Sequence, residues 1–70
     1  MVAKMVDVIL DGDLVHSYPI HLGNVGGPPP ALEEFVVMAR EHASDDELLS
    51  PMGLVEAEFI VRDPRPGDPI

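Results

Sequence analysis

The sequence lacks cysteine, so neither disulfides nor thiolate metal sites can stabilise the chain. It also lacks a long apolar run, since no stretch approaches the ~18 residues of a membrane-spanning helix. The short apolar run near the N-terminus ends in Asp11-Gly12-Asp13. Because this is not a small-residue cleavage site, we expect no signal peptide. These absences predict a cytoplasmic protein that does not bind membranes.

Basic residues are scarce: four Lys and Arg stand against 13 Asp and Glu, for a formal net charge of −9. Such a surface repels phosphate, so we expect no direct binding to nucleic acid. A basic protein partner is compatible with this charge, and an acidic decoy that imitates nucleic acid is a weaker alternative. Solubility alone explains the same charge.

The chain is also short. Its 70 residues make one domain, and a domain of this size buries only about 60% of its unfolded surface. Domains this small commonly gain stability from disulfides, a metal or a second subunit. With disulfides excluded, self-association or unusually good packing is the expected support for this thin core.

The polarity pattern predicts two strands followed by a helix. β-Branched residues predict the first strand at Val2–Leu10, and Asp11-Gly12 predicts a tight hairpin turn. The second strand is predicted at residues 14–22, where Pro19 favours a sheet edge or a bulge. After a loop rich in Gly and Pro, apolar residues three and four apart predict the main helix at residues 31–43.

The rest of the chain predicts a short second helix, a third strand and a tail. Ser44 and Glu47 have the spacing of a capping box, which predicts a helical turn or two through Leu49. Residues 54–62 alternate in polarity and predict the third strand. Residues 1–62 therefore form a single small α+β domain. Residues 63–70 form a Pro-rich C-terminal tail that we expect to be disordered.

These elements predict an α+β fold of ββαβ order, a three-stranded mixed sheet with one main helix on one face. A right-handed crossover through the helix makes the third strand parallel to the second. Pro19 cannot donate to a sheet ladder, so we place the second strand at an edge. The predicted order is therefore 2-1-3, and the alternative, 1-2-3, would put Pro19 in the middle strand.

Alternation along the strands predicts which residues lie on each sheet face. The predicted core beneath the helix consists of Val6, Val8, Leu10, Tyr18, Ile20, Leu22, Leu32, Phe35, Val36, Ala39, Leu48, Leu49, Ala57, Phe59 and Val61. The opposite face then mixes apolar and acidic side chains: Met5, Asp7, Ile9, Val15, Leu54, Glu56, Glu58 and Ile60. A patch of this kind predicts a protein contact, although half-exposed apolar residues are also normal on a small domain.

No motif indicates catalysis or a cofactor. His16 and His21 fall on opposite faces of a regular strand, and no His pair has the spacing of a zinc site. The serines lack a nucleophile motif, and the Gly-rich loop at residues 23–30 matches neither phosphate-binding pattern. We therefore predict no catalytic residue, no metal ligand and no cofactor.

The leading hypothesis is a noncatalytic small acidic interaction protein. It acts as a homodimer, or as a subunit of a larger assembly, through the open sheet face or the outer edge of the third strand. The candidate interaction residues are Met5, Asp7, Ile9, Leu54, Glu56, Glu58 and Ile60. The alternative is a small ligand- or metal-binding domain that uses the histidines and the Gly-rich loop.

Overall fold

A computed structural model describes residues 2–23 and 27–69 of the chain. Its elements follow the order β1 (Val2–Leu10), β2 (Asp13–Leu22), α1 (Leu32–Asp45), α2 (Pro51–Glu56) and β3 (Glu58–Arg62). The predicted ββαβ arrangement of an α+β fold is confirmed, with α2 as a short additional helix. Within the described ranges, no helix is long and apolar enough to cross a membrane.

β1 lies at the centre of the three-stranded sheet, whose order is β2-β1-β3. Both pairings are antiparallel: Val6 faces Tyr18 on β2 and Val61 on β3. The sheet is therefore antiparallel throughout and not mixed as predicted, because the two parallel edge strands are not neighbours and lie on opposite sides of β1. Pro19 lies on an edge strand, as its missing N–H predicts, and pairs in regular register with Met5.

The hairpin between β1 and β2 turns at Asp11 and Gly12. Both residues have positive φ, 53° and 81°, as a two-residue type I′ turn requires. A Cβ added to Gly12 would meet no atom within 4 Å. Glycine is therefore required there by the backbone conformation and not by crowding.

A β-bulge follows the hairpin. Ile9 pairs with Leu14, whereas Val8 pairs with His16, so Val15 is the extra residue on β2. The bulge turns Leu14 to the face away from α1. Simple alternation along residues 14–22 predicts Leu14 on the same face as His16, so that assignment was wrong at this one position.

α1 is longer than predicted, and Ser44 lies inside it. The helix continues to Asp45, and Glu47 with a φ of 54° leads the chain out of it. Leu48 N donates to Ala43 O at 3.0 Å, which closes the last turn. The prediction that Ser44 caps a second helix through Leu49 is therefore wrong, because the first helix has not ended at that point.

α2 begins seven residues after Ser44 and replaces the start of the predicted third strand. Ser50 is its N-cap and accepts a hydrogen bond from Gly53 N at 3.1 Å. Pro51 occupies the first turn, where its missing N–H leaves no helical bond unmade. Residues 54–56 therefore lie in α2, and β3 begins only at Glu58.

The core lies between α1 and one face of the sheet. Its buried members are Val6, Val8, Tyr18, Ile20, Phe35, Ala39 and Ala43. Partly buried side chains pack around them, and these include three that the sequence patterns did not place in the core: Val2, Met38 and Leu54. Leu32 is 59% exposed, so its predicted core position is wrong. It is the first residue of α1. Helical spacing predicts which side of the helix faces the sheet, but it does not predict whether the sheet extends far enough to cover the first turn. Leu10 is half-buried and lies outside the cluster.

Candidate interaction surface

The sheet face away from α1, here called the open face, is built from alternate residues of all three strands. Because directly paired residues on neighbouring strands point to the same side, the register defines its members. They are Ala3, Met5, Asp7 and Ile9 on β1, Leu14, Ser17, Pro19 and His21 on β2, and Glu58, Ile60 and Arg62 on β3. Its two halves differ sharply in polarity and exposure.

A charged network occupies the half that lies away from the hairpin turn. Arg62 Nε donates to Asp7 Oδ2 at 3.0 Å, and Arg62 Nη1 donates to Asp68 Oδ2 at 2.8 Å. Ser17 Oγ donates to the other oxygen of Asp7 at 2.6 Å. The three charged side chains are only 16% to 20% exposed. The network therefore shields most of its charge from solvent.

The network also holds the segment after β3 against the sheet. Asp68 N donates to Arg65 O at 3.0 Å in a turn, and this turn returns the Asp68 carboxylate to Arg62. Met5, whose cross-strand neighbours are Pro19 and Arg62, is 1% exposed although it faces away from α1. The predicted disorder of the tail stays a prediction, and its last residue lies outside the described ranges.

Met5 and Asp7 are therefore largely covered in the single chain, and their part in an interaction stays a prediction. Alternation correctly placed both on the face away from α1. It could not show that Arg62 bonds to Asp7, nor that the segment after β3 returns Asp68 to Arg62. Asp7 is instead an internal partner of Arg62 and Ser17.

The hydrogen bonds of the network lower the pKa values of its carboxylates. Burial opposes ionisation of Asp7, but the bonds from Ser17 and Arg62 outweigh it and lower the pKa of Asp7. Hydrogen bonds from the Arg62 side chain and the Arg65 backbone lower the pKa of Asp68 to about 2. In turn, Asp68 and Asp7 raise the pKa of Arg62. At neutral pH all three groups of the network are charged.

We expect the Asp68→Asn variant to melt below the native chain at pH 6, and this difference to shrink as the pH falls. The folded-state pKa of Asp68, about 2, lies below the ~3.9 of an unfolded aspartate. Ionised Asp68 therefore stabilises the fold fully above about pH 4, and this contribution is lost as the pH falls through about 2. Thermal melts by circular dichroism at several pH values measure the difference. The exposed Asp13, changed to Asn, is the control. A difference for Asp68→Asn that stays constant down to pH 2 would contradict the network.

The half of the open face beside the hairpin is apolar and accessible. Ile9 pairs with Leu14 on β2 and with Glu58 on β3, and Ile60 is its diagonal neighbour. Leu14 is 63% exposed and Ile60 is 44% exposed, while Ile9 lies half-buried between them. We call Ile9, Leu14 and Ile60 the apolar patch. The sequence missed Leu14 because only the bulge at Val15 turns it to this face.

Three of the seven predicted interaction residues lie together beside the hairpin: Ile9, Glu58 and Ile60. Two others, Leu54 and Glu56, belong to α2 and not to a strand, so their predicted place on the open face is wrong. Leu54 packs against the core instead, and Glu56 is exposed at the end of α2. Their alternation resembles that of a strand, but the Ser50 cap and Pro51 start a helix there.

The two outer edges of the sheet differ in their ability to pair with another chain. β2 carries Pro19, which has no N–H to donate. β3 has no proline, and none of its residues pairs on the side away from β1 within the described part of the chain. This β3 edge presents unpaired N–H and C=O groups, the kind of edge that binds a further strand. Ile60 belongs to both the edge and the apolar patch.

A groove of about 500 Å³ lies elsewhere, between α1 and the end of β2. Its lining residues combine acidic and apolar side chains: Leu22, Gly23, Pro30, Glu33, Glu34, Val37, Met38 and Glu41. One of these acids is already engaged, since Glu34 accepts a hydrogen bond from Ala31 N at 2.8 Å. No histidine lines the groove. Residues 24–26 of the Gly-rich loop lie outside the described ranges.

Two histidines pack on Tyr18 and not around a metal position. The His16 ring meets Tyr18 edge-on with centroids 4.4 Å apart, and His42 stacks on it at 5.8 Å. Tyr18 Oη donates to Asp46 at 3.0 Å, and burial together with this bond raises the pKa of Tyr18 to about 12. Across residues 2–23 and 27–69, no group of three or more His, Asp or Glu side chains is placed to hold a metal ion.

Comparison with known proteins finds no matching family model, no matching curated protein and no matching solved structure. The function must therefore be argued from the exposed surfaces of this chain. Among these, the apolar patch and the β3 edge are adjacent and share Ile60.

Proposed function

We propose that this protein is a noncatalytic interaction module that self-associates through the apolar patch and the adjoining β3 edge. The observation that carries the proposal is the position of Ile60, which is 44% exposed on an edge strand that has no outer neighbour among the described residues. An exposed apolar side chain and the unpaired backbone groups of β3 thus lie next to each other. A partner strand there would satisfy the edge groups and bring apolar side chains against Ile60.

The small core supports the proposal energetically. Only eight hydrophobic residues are buried among those described. Fully burying one Ile or Leu side chain stabilises by about 1.5–3 kcal/mol, so covering the patch matters to a domain of this size. A binding partner that recognises only the folded state raises its stability. Self-association thereby supplies the stabilisation that disulfides cannot provide in a chain without cysteine.

The charge of the chain limits how such a contact is made. Two copies of net charge −9 repel each other, although salt at about 0.15 M reduces this repulsion beyond roughly 8 Å. The patch itself carries no charge, and Glu58 is its one bordering acid on β3. An apolar contact next to an unpaired edge is therefore a surface at which like-charged copies can meet.

We expect Ile60→Lys to abolish the dimer at low micromolar concentration. The change places a charge at the centre of the contact, where desolvation is costly. The matched control is Val37→Lys on the outer side of α1. Val37 is 50% exposed, close to the exposure of Ile60, and both changes alter the net charge equally. Native mass spectrometry in about 0.15 M ammonium acetate reads out the dimer fraction.

Two results would contradict the proposal. The first is a native chain that remains monomeric across the micromolar range. The second is a dimer that Ile60→Lys leaves intact, or one that Val37→Lys disrupts to the same degree. Circular dichroism of each variant establishes that the fold is retained, so that loss of the dimer is assigned to the surface.

A further inference from the structure

We infer that two copies pair antiparallel along β3, with Ile60 of one copy directly opposite Ile60 of the other. This inference rests on the self-association proposed above and specifies its partner, a second copy of this chain, and its register. The result is a continuous six-stranded sheet with a two-fold axis at Ile60.

The register follows from the length of β3 and from symmetry. When two antiparallel strands pair through a closed two-fold symmetry, the axis is perpendicular to the sheet. Each residue of one copy then pairs with a residue of the other copy whose side chain lies on the same sheet face. β3 has five residues, Glu58–Arg62. All five pair only when the central residue, Ile60, lies on the axis. Centring on Phe59 or Val61 leaves two strand residues without a strand partner.

The chemistry of the five residues agrees with this register. On the open face, Glu58 comes opposite Arg62 of the other copy, and the two Ile60 side chains meet and join the two apolar patches. On the helix face, Phe59 comes opposite Val61, and both are only half-buried in the single chain. Centring on Phe59 would instead put Glu58 opposite Ile60 and leave Arg62 beyond the pairing.

The other edge does not offer this pairing. At the middle of β2 lies Pro19, which cannot donate to a partner strand. The bulge at Val15 also interrupts the regular spacing of that strand. The β3 edge has neither obstacle, so a second copy is expected on the β3 side.

The absence of cysteine makes single-cysteine trapping a clean test. In the inferred register the Cβ atoms at position 60 are about 4.5–5.5 Å apart, close to the range in which a disulfide forms. For position 58, the four-residue offset separates the two copies by about 14 Å along the strand. We expect mild oxidation to link Ile60→Cys into dimers about tenfold more than Glu58→Cys, a control that is also exposed on β3.

A third variant, Ile9→Cys, separates edge pairing from packing of one open face on another. In the edge-paired sheet, three inter-strand spacings lie between the two copies of Ile9, or about 14 Å, so it should not link. Equal linking of Ile9→Cys and Ile60→Cys would overturn the edge register in favour of face packing. A native dimer with no linking at Ile60 would also overturn it, while leaving self-association intact. A monomeric native chain would refute the proposed function itself.

Discussion

Phe35→Ala is expected to leave the domain unfolded or barely folded at 25 °C. Phe35 is 1% exposed and is the largest of the fully buried side chains in the core between α1 and the sheet. Truncating a buried phenylalanine to alanine commonly costs about 3–5 kcal/mol. A domain of 70 residues has a free energy of unfolding of only about 3.5–10 kcal/mol. Urea denaturation followed by circular dichroism, at one fixed protein concentration, measures the loss.

The matched control is Leu32→Ala, one helical turn earlier on the same helix. Leu32 is 59% exposed, so we expect a change of about 0.5 kcal/mol or less. Helical spacing alone assigns both residues to the core and predicts a large effect for each. Equal losses for Phe35→Ala and Leu32→Ala would therefore contradict the structure and favour the simpler helical pattern.

Met5→Ala is expected to destabilise the single chain by about 2–5 kcal/mol, the usual cost of truncating a buried methionine. Met5 is 1% exposed on the face away from α1, beside Pro19 and Arg62. The result separates two roles. An exposed contact residue would affect association and leave the unfolding of the monomer unchanged, whereas a covered residue lowers the stability of the monomer itself.

Met52→Ala provides the control for Met5→Ala with the same chemical change. Met52 is 67% exposed on α2, and we expect its loss to change stability by about 0.5 kcal/mol or less. Denaturation below the concentration at which dimers form isolates the monomer. A Met5→Ala variant as stable as Met52→Ala would contradict the burial of Met5 on this face of the sheet.

Local patterns were sufficient to predict most of the fold. β1 was predicted with its observed bounds because its β-branched run ends at a turn, Asp11-Gly12, whose residues favour positive φ. The sheet order followed from one residue, Pro19, since an edge strand accommodates a missing N–H. In both cases a single strong local signal agreed with the tertiary structure.

The errors in the fold arose where two local signals competed. Ser44 and Glu47 have capping-box spacing, but α1 continues through Ser44 to Asp45, and the positive φ of Glu47 follows its end. Residues 54–56 alternate like a strand, yet Ser50 and its following proline start α2. Sequence spacing does not show which of two possible helix starts the chain adopts, because tertiary packing decides between them.

The candidate surface was predicted only in part, for a different reason. Ile9, Glu58 and Ile60 were assigned correctly to the open face by alternation. Met5 is buried beside Arg62, whose contact with Asp68 forms only once the chain returns after β3. The exposure of Leu14 depends on a one-residue bulge. Neither feature has a periodic signal in the sequence.

Native mass spectrometry of the untagged chain at low micromolar concentration tests self-association most directly. We expect a mass of twice the 7.6 kDa chain, without adducts, in about 0.15 M ammonium acetate. A mass of one chain throughout the micromolar range would contradict self-association. A single chain carrying a stoichiometric small molecule or metal would also contradict it, and would direct attention to the groove beside α1.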